Sequence, residues 1–463
     1  MMLRPRVGLL PLYLKLYDDT MPELRVAFDP FMKQVVDGFE TRGVGVVRWP
    51  VCRLREEFRE AVAAFEREGV DAIVTLHLAY SPSLESVDAL VHSALPVVML
   101  DTTMDESFGL DVDPARIMFD HGVHGVQDLA SMLRRRGKRY EVIAGHVSEA
   151  EMFERACGRV RAVAGARCFR GMRVLRIGET FSGMGDFTVH DDLLQAVLGV
   201  RVDQMGVDSV AACAAKIDAG SLEREMREDR SRYDVDVPEE VHRRSVRVGL
   251  ALRKVLEEGG YGAFSMNFLA FDRCDGPVDT VPFLEASKAM ARGLGYAGEG
   301  DVLTAALVGA LNAAFGMTTF TEIFCPDWRG DALFLSHMGE VNPETAAAKP
   351  RLCEKDFPWT GARNPAVLTC APAPGPAVLV NLAPGPDETF SLIAARVEVL
   401  GDGTHPAMRD SVRGWIRPEK GVRRFLEEYS RHGGTHHSAL VLGDRVDAVA
   451  AFGEYAGIDV VVL

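Results

Sequence analysis

The sequence lacks three things that would each have directed its reading. First, its eight cysteines, Cys52, Cys157, Cys168, Cys213, Cys274, Cys325, Cys353 and Cys370, form no Cys-x-x-Cys pair. Their wide, irregular gaps exclude a zinc ribbon and argue against a disulfide framework. Reduced thiols packed as small hydrophobes are expected. Second, no apolar run reaches the ~18 residues that a membrane helix needs. The start, Met1-Met2-Leu3-Arg4-Pro5-Arg6-Val7, has no signal-peptide h-region, so a cytoplasmic protein with no membrane partner is expected. Third, there is no broad basic face. Lys and Arg number 52 against 67 Asp and Glu, a net charge of −15. The densest basic run, Arg134-Arg135-Arg136-Gly137-Lys138-Arg139, reads as a helix C-terminus, where cations complement the dipole. Nucleic acid is therefore not an expected partner.

At 463 residues the chain exceeds what one compact core usually holds, so several domains are expected. In the first third, apolar runs at Arg6–Leu10, Val44–Trp49, Ala72–Leu76, Pro96–Leu100 and Glu141–Ala144 alternate with helical periodicity. That alternation predicts a doubly wound parallel sheet. A second unit of the same kind starts with the strand-like Met172–Ile177. It continues through a long helix, Pro238–Glu258, the run Ala263–Phe268 and the helical Pro282–Arg292. Glycines at 293, 295, 298 and 300 precede an apolar helix from Asp301 to Phe315. Beyond it, runs such as Ala332–Leu335, Ala377–Leu382 and Phe390–Leu400, separated by proline-rich loops, predict a β-rich barrel or sandwich. The expected architecture is α/β: two doubly wound parallel domains, 1–170 and 171–316, followed by a β-rich C-terminal domain, 317–463, which carries part of the site.

Four islands concentrate unusual polar residues. They are Gly295-Tyr296-Ala297-Gly298-Glu299-Gly300-Asp301, Thr318-Thr319-Phe320-Thr321-Glu322, Ser336-His337-Met338-Gly339-Glu340-Val341 and Gly433-Gly434-Thr435-His436-His437-Ser438. Two carboxylates and two imidazoles suit a divalent ion such as Mn²⁺. Each island also has a plainer reading. Glu299 and Asp301 could cap a helix start, Glu322 could be a solvated turn residue, and His337 could be a hydrogen-bonded core histidine. The paired histidines are harder to explain without a ligand.

Taken in order, Gly298-Glu299-Gly300-Asp301-x-x-Thr304-Ala305-Ala306-Leu307, Glu322, Ser336-His337-Met338-x-Glu340-Val341 and Gly433-Gly434-x-His436-His437 resemble the motifs of the L-arabinose isomerase / L-fucose isomerase family. The resemblance implies a Mn²⁺-dependent aldose–ketose isomerase taking L-arabinose to L-ribulose, or a related aldose, through a cis-enediol(ate). It implies metal ligands Glu299, Glu322, His337 and His437, with the two glutamates also the acid/base pair. A divalent ion acts there as a Lewis acid, and a carboxylate on each side takes and returns protons. His436 then lies beside the monosaccharide. His124, in His121-Gly122-Val123-His124-Gly125, is similar to a family histidine that reaches a neighbouring subunit's site, in a homo-oligomer, trimer or hexamer. Met184 and Phe268 fall where the family has substrate contacts; their plainer reading is as ordinary hydrophobes.

The chain departs from the family at the N-terminal substrate motif, which reads Pro11-Leu12-Tyr13-Leu14-Lys15-Leu16-Tyr17-Asp18-Asp19 and lacks the sugar-contacting glutamine. A different hydroxyl pattern is therefore open, with L-fucose, D-galactose or another aldose as alternatives. Two rivals remain. Gly293-Leu294-Gly295-Tyr296-Ala297-Gly298 spells the G-x-G-x-x-G of nucleotide-binding turns, though no strand is expected before it. A sugar-binding protein without catalysis could use the same layered domains.

Overall fold

A computed structural model describes residues 3–403 and 405–463. Contacts divide the chain into two compact units, Leu3–Ala164 and Gly165–Leu463, the boundary falling within the helix Ala150–Arg170.

The N-terminal unit is built on five parallel strands: β1 (Arg6–Leu12), β2 (Gly45–Arg48), β3 (Ala72–His77), β4 (Val97–Asp101) and β5 (Tyr140–Ala144). Their order in the sheet is β2-β1-β3-β4-β5. The two-residue period of a strand explains how both faces are buried. Val7 and Leu9 join one core with Phe31, Phe39 and Phe153, whereas Leu10 and Leu12 join the other with Phe58, Phe65 and Leu129. This is the doubly wound layering expected from the sequence.

The C-terminal unit begins with a second parallel sheet. Its strands are β6 (Arg173–Ile177), β7 (Arg201–Met205), β9 (Ala263–Met266) and β10 (Gly295–Gly298), in the order β10-β9-β6-β7. A short strand β8 (Asp234–Asp236) lies outside it. The remaining strands are β11 (Thr318–Asp327), β12 (Ala332–Ser336), β13 (Arg351–Glu354), β14 (Ala366–Thr369), β15 (Gly375–Pro384), β16 (Phe390–Val399), β17 (Gly414–Pro418), β18 (His437–Leu442) and β19 (Asp459–Val462). β8, β13 and β14 form a small sheet. The others run β15-β18-β11-β12-β17-β16-β19, and β15 also pairs with β16. That last pairing closes six strands into a barrel and removes their edges. The fold is therefore mixed α/β with a β-rich C-terminal part, as the sequence predicts.

One element joins the parallel sheet to the barrel. Every residue of the helix Val302–Phe315 is buried, as its all-round apolar sequence requires. It packs on β6, β9 and β10 and also on β11, β15 and β18. Its start lies beside the candidate site.

The glycine-rich run before this helix differs from expectation. It forms the strand β10, parallel to β9, with Gly295 opposite Ala263. A Cβ on Gly295 would lie 2.0 Å from the Ala305 carbonyl oxygen and 2.5 Å from the Gly309 nitrogen. Glycine here permits strand and helix to touch. The glycines of the G-x-G-x-x-G thus lie before and within a buried strand, where no phosphate-binding turn exists. The second difference is β11, which runs on through Glu322 to Asp327 and so makes Glu322 a strand residue.

Candidate metal centre

Glu299 stands in the turn between β10 and the buried helix. Its φ of +63° lies in the left-handed region, which costs a non-glycine residue free energy and marks a position held by its surroundings. Gly300 follows at φ +82°, and a Cβ there would lie 2.7 Å from Thr180 Cα. The Phe181 N–H donates to the Glu299 carbonyl at 2.9 Å.

Asp301 does two things at once. One carboxylate oxygen accepts from the Thr304 N–H at 2.8 Å and caps the helix. The other accepts from His437 Nδ1 at 2.9 Å. The capping role considered for both acids therefore belongs to Asp301 alone, and Glu299 is left to face the histidines.

Strand register assembles the rest. On β11, Glu322 lies opposite His437 of β18 on one side and Ser336 of β12 on the other. His337 follows Ser336 directly. Its Nδ1 donates to the Glu340 carboxylate at 2.8 Å. Glu340 in turn accepts from the Tyr296 hydroxyl at 2.6 Å and the Gly339 N–H at 2.8 Å. Phe320 packs edge-on against both imidazoles, with centroids 4.7 Å from His337 and 5.0 Å from His437. On its other side the His437 ring stacks on Phe187 at 5.0 Å.

The ligand atoms of Glu322, His337 and His437 lie within 4.8 Å of one another, and so do those of Glu299, His436 and His437. His437 belongs to both triads, so both glutamates stand beside one imidazole. Its Nε2 is 3.6 Å from the Glu299 carboxylate. This nitrogen is buried and has no hydrogen-bond partner among the described residues. An orphaned polar atom inside a protein needs a partner. An imidazole whose Nδ1–H is held by a carboxylate is the usual form of a metal-ligating histidine. His337 and His437 both have that form, and two carboxylates complete an oxygen–nitrogen donor set suited to a divalent transition ion.

The electrostatics agree. Burial pushes the Glu299 carboxyl up, but the neighbouring His436, His337 and His437 hold it below the usual carboxylate range. Burial lowers His337, yet the carboxylate of Glu340, aided by Glu322 and Glu299, raises it above the ordinary histidine value. Burial also opposes the charge on His436, but its hydrogen bond to Asp186 and the nearby carboxylate of Glu299 lift it to about 10.

Of the other residues singled out in the sequence, Met184 is half-buried in the loop after β6, two positions before Asp186. Phe268 is buried at the end of β9 and packs against Phe181 and Phe357, at 5.7 Å and 5.5 Å. His124 belongs to the N-terminal unit, where it is exposed on the helix Val123–Arg135 with its ring 5.9 Å from His121. Sequence reasoning gave no role to Asp186, Phe187, Tyr296 or Glu340. Glu340 had a signal, three residues after His337. Asp186 had none, since 250 positions separate it from the histidine it touches.

Fold and site together define an α/β protein with a candidate carboxylate–imidazole centre in its C-terminal unit. The family model for the L-arabinose isomerase central domain matches residues 174–316, and that for the L-arabinose isomerase C-terminal domain matches 317–459. Relatives named L-arabinose isomerase align over most of their length. The protein of Nocardioides sp. is 28% identical over 91% of this chain and 86% of its own. That of Geobacillus thermodenitrificans is 26% identical over 89% and 85%. The Klebsiella pneumoniae protein is 24% identical over 87% and 82%. The chain belongs to the L-arabinose isomerase family.

Proposed function

We propose that this protein is an aldose–ketose isomerase that works with a divalent cation, Mn²⁺ being the first candidate. The observation that carries the reading is the pair of glutamates flanking His437, whose inward nitrogen is buried and unpartnered. Glu299, Glu322, His337 and His437 are the residues that would hold the ion. When bound, the ion supplies Lewis acidity toward the substrate's adjacent oxygens.

The remaining work falls to the chain itself. Converting an aldose to a ketose moves one proton between C1 and C2 and another between O1 and O2. Glu299 and Glu322 are proposed as the acid/base pair, through a cis-enediol(ate). Asp301 and Glu340 hold the two imidazoles in one tautomer and orientation, so the carboxylates meet a preorganised site. Phe320 and Phe187 keep water from the imidazole faces. His436, half-exposed beside Glu299, is proposed as a substrate contact together with Met184 and Phe268. His124 is proposed as a contact supplied from a neighbouring subunit of a homo-oligomer, trimer or hexamer, in the cytoplasm. We also retain three domains, 1–170, 171–316 and 317–463. The junction of the two family models at 316 and 317 supports the second of these boundaries.

L-Arabinose, with L-ribulose as product, is the first substrate to test, because the relatives carry that name. Lys15 and its neighbours replace the family's glutamine-containing motif, so L-fucose and D-galactose belong in the same panel. The experiment is ketose formation from each aldose with Mn²⁺, before and after chelator. Turnover of one aldose, abolished by chelation and restored by Mn²⁺, is the expected result. No ketose from any aldose, with Mn²⁺ bound, would leave a non-catalytic sugar-binding protein instead.

A further inference from the structure

One carboxylate beside the centre has no part in the ligand set. The loop that follows β6 is tied to the site at three points. The Phe181 N–H donates to the Glu299 carbonyl, Phe187 stacks on His437, and Asp186 grips His436. The grip is two-pronged: a single oxygen, Oδ2, accepts from the His436 backbone N–H at 3.0 Å and from its Nδ1 at 2.6 Å. A ring held at its own backbone and at Nδ1 by one atom keeps little freedom about either side-chain torsion. The opposite nitrogen, Nε2, then points toward Glu299, 3.7 Å from its carboxylate. The His436 side chain is about a third exposed (31%).

The same geometry leaves His436 a competing use. Its ligand atom is close enough to those of Glu299 and His437 to join them around a cation. A histidine whose Nε2 is bound to the ion could not also meet a sugar hydroxyl with that nitrogen. Asp186 fixes the Nδ1–H tautomer or the imidazolium and sets the direction of Nε2.

We infer that Asp186 is a positioning residue, which holds His436 so that its Nε2 meets a hydroxyl of the monosaccharide beside Glu299. This inference rests on the isomerase reading for the identity of the ligand, though not for the state of the ring. Because one oxygen accepts both bonds, an asparagine carbonyl can take over, whereas alanine cannot.

The test compares full-length wild type with Asp186→Ala and Asp186→Asn. In the metal-free protein, ring-nitrogen NMR shifts assigned with a His436→Gln control report the Nδ1 hydrogen bond. Kinetics on the aldose turned over by the wild type separate KM from kcat, and titration with Mn²⁺ alone reports the ligand set. For Asp186→Ala the His436 resonances should change and KM should rise about tenfold, the loss of one well-placed hydrogen bond. Its kcat should stay within about threefold by the same measure. Mn²⁺ affinity should stay within twofold (about 0.4 kcal/mol), and Asp186→Asn should recover most of the KM. Unchanged His436 resonances in Asp186→Ala would overturn the inference, as would a KM rise matched by an equal loss of Mn²⁺ affinity. A wild type that converts no aldose would defeat the isomerase reading. The resonances would then still decide whether Asp186 sets the ring.

Discussion

Each unit buries a histidine at the end of a strand, and the two could hardly be treated more differently. His77, at the carboxyl end of β3, is 2% exposed, and neither ring nitrogen has a hydrogen-bond partner among the described residues. Glycines press on it: a Cβ on Gly125 would lie 2.3 Å from its Cδ2, and one on Gly122 would lie 2.4 Å from its carbonyl oxygen. The nearest acid that acts on it, Asp128, is occupied by Ser83 and Tyr80. Burial therefore drives His77 down to about 3, with Asp128 opposing only weakly. His337 is enclosed too, yet it is raised, because Glu340, with Glu322 and Glu299, outweighs its burial. His437 is held by Asp301 in the same way. Burial makes a histidine neutral and inert, and a carboxylate at Nδ1 makes it a directed donor atom.

That contrast can be broken or sharpened by experiment. The largest effect should come from the acid between the clamped histidines: Glu322→Gln should lower turnover by about 10²–10⁴-fold, with an unchanged circular-dichroism spectrum. A variant that turns over like wild type would remove Glu322 from the acid/base pair. Next, Asp301→Asn keeps a capping side chain but weakens the clamp on His437. Mn²⁺ affinity, measured by calorimetric titration, should fall by about 10–100-fold, and an unaltered affinity would show that the clamp is dispensable.

The smallest effect concerns His77. Its folded-state pKa, about 3, lies below the unfolded value of 6.5. Between those limits the unfolded chain binds the extra proton, so stability falls as pH falls. The slope is at most about 1.4 kcal/mol per pH unit. Denaturant unfolding at pH 7 and pH 5 should show a steeper loss for wild type than for His77→Leu, while Mn²⁺ affinity is the same in both. Parallel losses would mean that His77 finds a partner after all.

How much of this could be read from the amino acids depended on distance along the chain. The doubly wound layers were legible because they rest on local periodicity, as in the alternation of Val7 and Leu9 with Leu10 and Leu12. β10 was not legible, since glycine carries no strand signal and Gly295 is required by the helix packed against it. The small sheet of β8, β13 and β14 was missed because its strands are three or four residues long and β8 pairs with β13 across more than a hundred positions. The polar islands drew notice as clusters. What each member does was hidden: Asp301 is a cap and a clamp, Tyr296 serves Glu340, and Asp186 reaches His436 across the unit. Such pairings exist only after folding, and no spacing rule encodes them.

The ladder around Glu322 has an evolutionary corollary. Because its neighbours on β12 and β18 are set by register, a substitution elsewhere along β11 leaves that pairing in place as long as the number of residues is kept. A single residue added between Thr318 and Glu322 would turn the carboxylate to the opposite side of the barrel wall. Natural variation in this strand should therefore be written in substitutions, with gains and losses of length displaced into the hairpin beyond the irregularity at Ile323 and Cys325.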